Sequence, residues 1–367
     1  MDLLKAWFKR TFSDPQIIIL GLILLVSALV IFGLGRMLAP VFASLVIAYL
    51  LEAIVQSLQR LGLGRVWSVL VVFLLFLAVL VFLLFGLVPM LSRQLTQLVQ
   101  QLPNYIAQGQ EMVAALPQRY PQLISEAQIQ TIFANLSSEL GRAGQQLLTW
   151  SLASVASVLG LLVFLVLVPV LVFFFLKDKE QLVSWLVDFL PSERHLVNNI
   201  WTEVEGQIAN YVRGKVVEIA IVGAVTYVTF VALGLQYAAL LATLVGVSVL
   251  IPYVGAAVVT LPVALVAFFQ WGWGWDFGAL MIAYVIIQGV DGNLLVPLLF
   301  SEAVNLHPVA IIMAILVFGG LWGFWGVFFA IPLATLVQAV LKAWPRQHHE
   351  QAPQSEPGAE PASTEEG

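Results

Sequence analysis

Long uncharged runs alternate with short polar breaks along this chain, and that rhythm predicts its architecture. Residues 17–35 carry no charge, and 38–58, 66–91 and 150–176 are further apolar stretches, the last ending abruptly at Lys177-Asp178-Lys179-Glu180. About 20 apolar residues suffice to cross the hydrocarbon core as a helix, whereas a membrane barrel needs short alternating strands. No such alternation occurs. The pattern predicts an all-α, polytopic transmembrane helical protein with about eight membrane segments. Residues 17–35 have no small-residue cleavage site and run straight into more apolar sequence, so they read as a first span and not a cleaved signal.

Polar positions divide the chain further. Residues 1–91 form the N-terminal spans and 92–149 an extracytoplasmic insert. In the insert Leu95, Leu98, Val99 and Leu102 recur at helical spacing, and Pro103, Pro117 and Pro121 are expected to break it. The single span 150–176 leads to 177–215, read as cytoplasmic amphipathic helices. Residues 216–341 form a C-terminal membrane core, and 342–367 a disordered acidic tail rich in Pro, Glu, Ser and Ala. If the amino end is inside, twelve of the 16 Lys and Arg are cytoplasmic, and only Arg36, Arg93, Arg119 and Arg142 lie outside. Both termini are therefore expected to be cytoplasmic.

In the C-terminal core the runs 237–269 and 309–341 are each 33 residues long. That is too long for one straight crossing and too short for two with a turn. Pro252-Tyr-Val-Gly255 interrupts the first. Gly319, Gly320, Gly323 and Gly326 interrupt the second. Each run either crosses as a broken helix or re-enters as a hairpin, and the central position of the breaks favours hairpins. Paired interruptions of this kind point to a transporter's binding site, because unwound backbone exposes N–H and C=O groups. The competing explanation is that the glycines only let helices pack closely.

Charged positions in this core are few. Asp291 lies deep in its span within Gln288-Gly-Val-Asp-Gly-Asn293. A carboxylate there costs about 3 kcal/mol unless it meets a wet cavity or a partner. Gln288, Asp291 and Asn293 are thus candidate substrate or ion ligands. The alternative is that Gly289, Gly292 and Pro297 end the helix and leave Asp291 capping a loop. Glu218, one turn from Lys215, is a further candidate, with an interfacial ion pair as the competing reading. Glu302 and His307 could carry protons or belong to an ordinary loop.

Composition narrows the functions. Hydrophobic residues make up 60% and charged residues 10% of the 367 positions, and mean hydropathy is +0.96. Net charge is −5, and five Glu against Arg346 in residues 345–367 account for −4 of it, so no attraction to nucleic acid is expected. There is no cysteine, which excludes disulfides and thiol chemistry. No Gly-x-x-x-x-Gly-Lys-Ser/Thr, His-Glu-x-x-His or Gly-x-Ser-x-Gly motif occurs, so no catalytic residue, metal site or cofactor is assigned and no enzymatic activity is expected. Any transport is expected to run on a gradient.

Several words resemble the autoinducer-2 exporter family: Phe173-Phe-Phe-Leu-Lys-Asp-Lys179, Asn210-Tyr-Val-Arg-Gly-Lys215, Val249-Leu-Ile-Pro-Tyr-Val-Gly255, Asp291-Gly-Asn-Leu-Leu-Val-Pro297, Asn305-Leu-His-Pro308 and Gly319-Gly-Leu-Trp-Gly-Phe-Trp-Gly326. Phe12-Ser-Asp-Pro15 and Ala48-Tyr-Leu-Leu-Glu52 extend the likeness to nearly the whole chain. The chain departs from the commoner family words at Lys215, where Gln is usual, and at Glu52-Ala53, where Asn-Pro is usual. The resemblance implies a multi-pass bacterial inner-membrane transporter that assembles as a homo-oligomer, a pentamer by analogy. Autoinducer-2, a small polar signal, is the substrate tied to the family name, and some relatives look like sodium/proton antiporters. Three readings follow: a permease or exporter of a small polar solute, a cation/proton antiporter using Asp291, and a membrane scaffold whose insert binds an envelope partner.

Overall fold

The computed structural model describes residues 15–114, 155–188, 195–252, 254–300 and 306–343, with part of 131–146. Among the described residues the chain is helical and contains no strand. Helix α1 is Pro15–Arg60. Helix α2 (Arg65–Phe82) passes through a π-helical turn, Leu83–Leu87, into α3 (Val88–Ala114). Then come α4 (Val155–Lys177), α5 (Lys179–Asp188), α6 (His195–Ala232), α7 (Ala238–Ser248) and α8 (Val254–Trp271). Helix α9 (Trp275–Val290) runs through a second π turn, Asp291–Leu295, into α10 (Val296–Phe300), and α11 (Pro308–Phe328) and α12 (Ala330–Ala343) complete the fold. Five of the described helical stretches are long and apolar enough to cross a membrane, and four shorter apolar helices accompany them. Many large apolar side chains lie on the outside, among them Leu74, Phe82, Phe85, Ile282 and Leu316. That is the surface a lipid solvent requires. The protein is an all-α, multi-pass membrane protein.

Three expected boundaries are absent. The stretches 17–35 and 38–58 join into the single helix α1, with Pro40 inside it. Gly33, Gly35 and Pro40 weaken the helix near Arg36 without ending it, since once started each added non-proline residue gains a backbone bond. The helix likewise continues through residue 92, and Pro103 lies inside α3 and does not break it. Pro103 itself is exposed. Pro117 and Pro121 lie outside the described residues. The expected amphipathic helix ending at Lys215 and the following span are one helix, α6.

Both π turns share a sequence context. Each stands immediately before Val-Pro: Val88-Pro89 and Val296-Pro297. The valine N–H bonds the carbonyl five residues back, Leu83 and Asp291 respectively. A proline inside a helix cannot donate, and its ring presses on the carbonyl four residues back. One extra residue in the preceding turn moves that carbonyl aside. The helix therefore continues past Pro297, and Asp291 is not a loop cap.

The first broken segment is a hairpin. Gln236 N–H donates to Gln270 Oε1 at 2.8 Å, and Gln270 Nε2 donates to the Gly234 carbonyl at 2.8 Å, so both ends of the segment lie together. At the tip, Gly255 packs on the Ser248 carbonyl so closely that a Cβ would overlap it. The second segment reverses in the same way. Gly323 takes φ 59°, ψ −134°, a conformation open to glycine, and Gly326 packs on the Phe318 carbonyl. Leu250 from the first tip meets Phe328 and Ile331 from the second in one cluster with Tyr211 and Val212 of α6.

At one end of α1, α2 and α4 an ionic cluster gathers. Glu52, only 6% exposed, pairs with Lys179 at 3.3 Å and Arg65 at 3.8 Å. Arg65 also pairs with Glu180 at 3.6 Å and donates to the Leu176 carbonyl at 3.0 Å.

Candidate functional site at the hairpin tip

Helix α6 supplies one wall of the site and α9 with its π turn the other. Phe230 meets Tyr284 at 6.4 Å between ring centroids. Tyr211 meets Phe300 at 5.7 Å. The two helices are thus antiparallel. Between these contacts Glu218 and Thr226 project from α6, and Tyr284, Gln288 and Asp291 from α9 and the π turn, at spacings that keep each set on one face. Helix α7 closes the third side, because Gly246 lies against Gly223 and the Ile219 carbonyl, and a larger residue would hold the helices apart.

At the foot of this wall lies a buried ion pair. Lys215 and Glu218 are 4% and 1% exposed, and Lys215 Nζ stands 2.7 Å from Glu218 Oε2. The same ammonium donates to the Val249 carbonyl at 2.8 Å and lies 5.1 Å from the centre of the Phe300 ring. Glu218 is therefore in an ion pair, as the i, i+3 spacing allows, but the hairpin tip covers the pair and removes it from the interface. Asp291, 9% exposed, interacts electrostatically with both Lys215 and Glu218. Two carboxylates and one ammonium are gathered here.

Above the pair runs a polar ladder. The Tyr284 hydroxyl lies 3.1 Å from Thr260 Oγ1 and donates to the Ala256 carbonyl at 3.4 Å. Thr226 Oγ1, Gln288 Nε2 and Asp291 Oδ1 are buried without a hydrogen-bond partner. Each such group costs about 1–3 kcal/mol until something satisfies it. Together they offer a carboxylate oxygen, a hydroxyl and an amide donor, a set suited to a small polar molecule or a cation.

Of the ligand candidates from the sequence, Asp291, Gln288 and Glu218 come together. Asn293 does not, since it is exposed and its Nδ2 donates to the Gly289 carbonyl at 2.8 Å. Pro252 and Gly255 sit at the first tip, with Gly319, Gly320, Gly323 and Gly326 around the second. Sequence reasoning passed over Lys215, Thr226, Thr260 and Tyr284 as ligands. The i, i+4, i+7 recurrence of Tyr284, Gln288 and Asp291 in an otherwise apolar span was the available signal. His307 caps α11, where its Nδ1 accepts from Val309 N–H.

Comparison with known proteins points the same way as these features. The profile of the AI-2E family transporter matches residues 17–346. PerM of Escherichia coli (strain K12), a candidate permease, is 47% identical over 345 residues, covering 94% of this chain and 98% of PerM. YueF, a candidate transport protein of Bacillus subtilis, is 27% identical, covering 90% of this chain and 92% of its own. A second candidate transport protein of that organism, YrrI, is 25% identical over 82% of this chain and 85% of its own. With the profile spanning nearly the whole chain and a relative this similar over its full length, the protein belongs to the AI-2E family of membrane transporters.

Proposed function

We propose that the protein is a gradient-driven secondary transporter, a permease or exporter, of a small polar solute in the bacterial inner membrane. The solute is held between α6, the α7–α8 tip and the π turn of α9. One observation carries this reading: Lys215, Glu218 and Asp291 are buried together beside broken backbone in an otherwise apolar region. Charges at such depth are costly and mark transport paths, and discontinuous helices mark binding sites. The basic residues around the ionic cluster, Arg60, Arg65, Lys177 and Lys179, support a cytoplasmic position for that end.

The test is flux into proteoliposomes, screened over polar metabolites. Asp291→Asn is expected to lower flux more than about tenfold, the consequence of losing about 1.4 kcal/mol of buried interaction, at unchanged protein level. Wild-type flux in that variant would remove Asp291 from the site. A second reading, cation/proton antiport through Asp291, is favoured by its unpaired Oδ1. Cation-driven proton movement without any solute would select it.

A further inference from the structure

We propose that Lys215 is a tethered counter-ion that latches the α7–α8 hairpin tip, and that a monovalent cation binding between Glu218 and Asp291 weakens its ammonium's hold and frees the tip. The proposal takes the location of the site from the transport reading and adds how occupancy is coupled to movement.

The ammonium of Lys215 has three protons to donate. Its nitrogen stands 2.7 Å from Glu218 Oε2 as an ion pair, and it donates to the Val249 carbonyl at 2.8 Å. The Phe300 ring lies on the remaining side. Val249 is the C-cap of α7, so Lys215 holds the negative end of that helix as well as a carboxylate. Among the described residues no other side chain from outside the hairpin hydrogen-bonds residues 248–252. One ammonium thus ties the carboxylate site to the tip, and neither bond can change without the other.

Charge balance supplies the trigger. Lys215 faces Glu218 of α6 and Asp291 of the π turn, and Tyr211 of α6 faces Glu218; α1 also packs on α6, and its Glu52 pairs with Lys179 and Arg65. Helices α7, α8, α10 and α11 carry no charged residue. With both carboxylates ionised the cluster is one positive charge short, a costly deficit at this burial. Asp291 Oδ1, buried and unpartnered, is the oxygen that a proton or a sodium-sized ion would take first. Once that cation neutralises the carboxylates, the pull on Lys215 falls and its bond to Val249 is free to open.

A single thiol reads the latch, because the chain has no cysteine of its own. Ile251→Cys in purified full-length protein is labelled with a maleimide in choline buffer, with sodium added at fixed pH, and at falling pH without sodium. Relative to Gly274→Cys labelled at the same pH, which corrects for the thiolate fraction, sodium or acid is expected to speed labelling about 5- to 150-fold, the usual range of linked binding, and the two arms tell the ions apart. Lys215→Met should label fast without any cation, and Lys215→Arg should restore the dependence. Labelling indifferent to both cation and pH, or Lys215→Met as slow as its parent, overturns the latch. If Lys215→Met does not fold, Asp291→Asn added to Ile251→Cys serves instead. It should abolish the response, and a full response there overturns the proposal. Solute flux with indifferent labelling sinks the latch alone, whereas responsive labelling without flux of any solute sinks the transport reading alone.

Discussion

A methyl group on residue 255 would fall on the backbone carbonyl of Ser248, and no side-chain rotation can relieve a clash with backbone. Gly255→Ala should therefore force the two arms of the hairpin apart. Overpacking of this kind costs about 1–3 kcal/mol or more, so a lower melting temperature in detergent and a loss of flux are expected. Gly274→Ala, whose nearest neighbour is the Trp271 carbonyl at 3.7 Å, should change neither. Unperturbed melting in Gly255→Ala would mean that the tip does not need the close approach. The importance of this residue was legible in the sequence, since a glycine three residues after a proline in the middle of an uncharged run marks a break. The burial of Glu218 was not. Its spacing from Lys215 announces a pair, but only the arrival of Val249 from 31 residues further on decides that the pair is shielded. Asn293 shows the opposite case, a polar residue at the right depth whose helix face turns it away from the site.

At the scale of elements, the α7–α8 hairpin settles how the flanking loops must lie. Because Gln236 and Gln270 are bonded, the turn at 272–274 shares a side with the end of α6. Phe300 packs on Gly214, so the chain leaving α10 lies toward the start of α6. With the α4–α5 junction cytoplasmic, Gly274→Cys should react with an impermeant thiol reagent from outside, and His307→Cys should not. The reverse labelling would show that the segment crosses. Sequence pattern located both broken segments, because glycine and proline act within a few residues of themselves. It could not choose between crossing and re-entry, since neither flanking loop carries Lys or Arg and charge is the only local signal of sidedness.

For the whole molecule, α1 poses the sharpest question. At 46 residues it is about 69 Å long, more than twice the hydrocarbon thickness. Lys5, Lys9 and Arg10 before it and Arg60 at its end both call for the cytoplasm. A straight rod crossing once cannot satisfy both. We expect α1 to bend in the bilayer near Gly33, Gly35 and Pro40, where glycine and proline weaken the ladder. Reporter fusions at Lys5 and after Arg346 should then both read cytoplasmic. An external reporter at Lys5 would show that α1 crosses as one rod.

The sequence by itself determined the solvent, the helical class, the places where the helices break and the residues that bear charge in the core. Each of these follows from local rules: hydrophobic length against bilayer thickness, the backbone limits of glycine and proline, and the cost of burying a carboxylate. Only the tertiary structure decided that the first broken segment folds back on itself. It also decided that Lys215 reaches its tip and that Thr226, Gln288 and Asp291 hold buried, unpartnered polar atoms on two antiparallel helices. Those facts depend on residues tens of positions apart meeting in space. Nothing within one span records which face of a distant span will cover it.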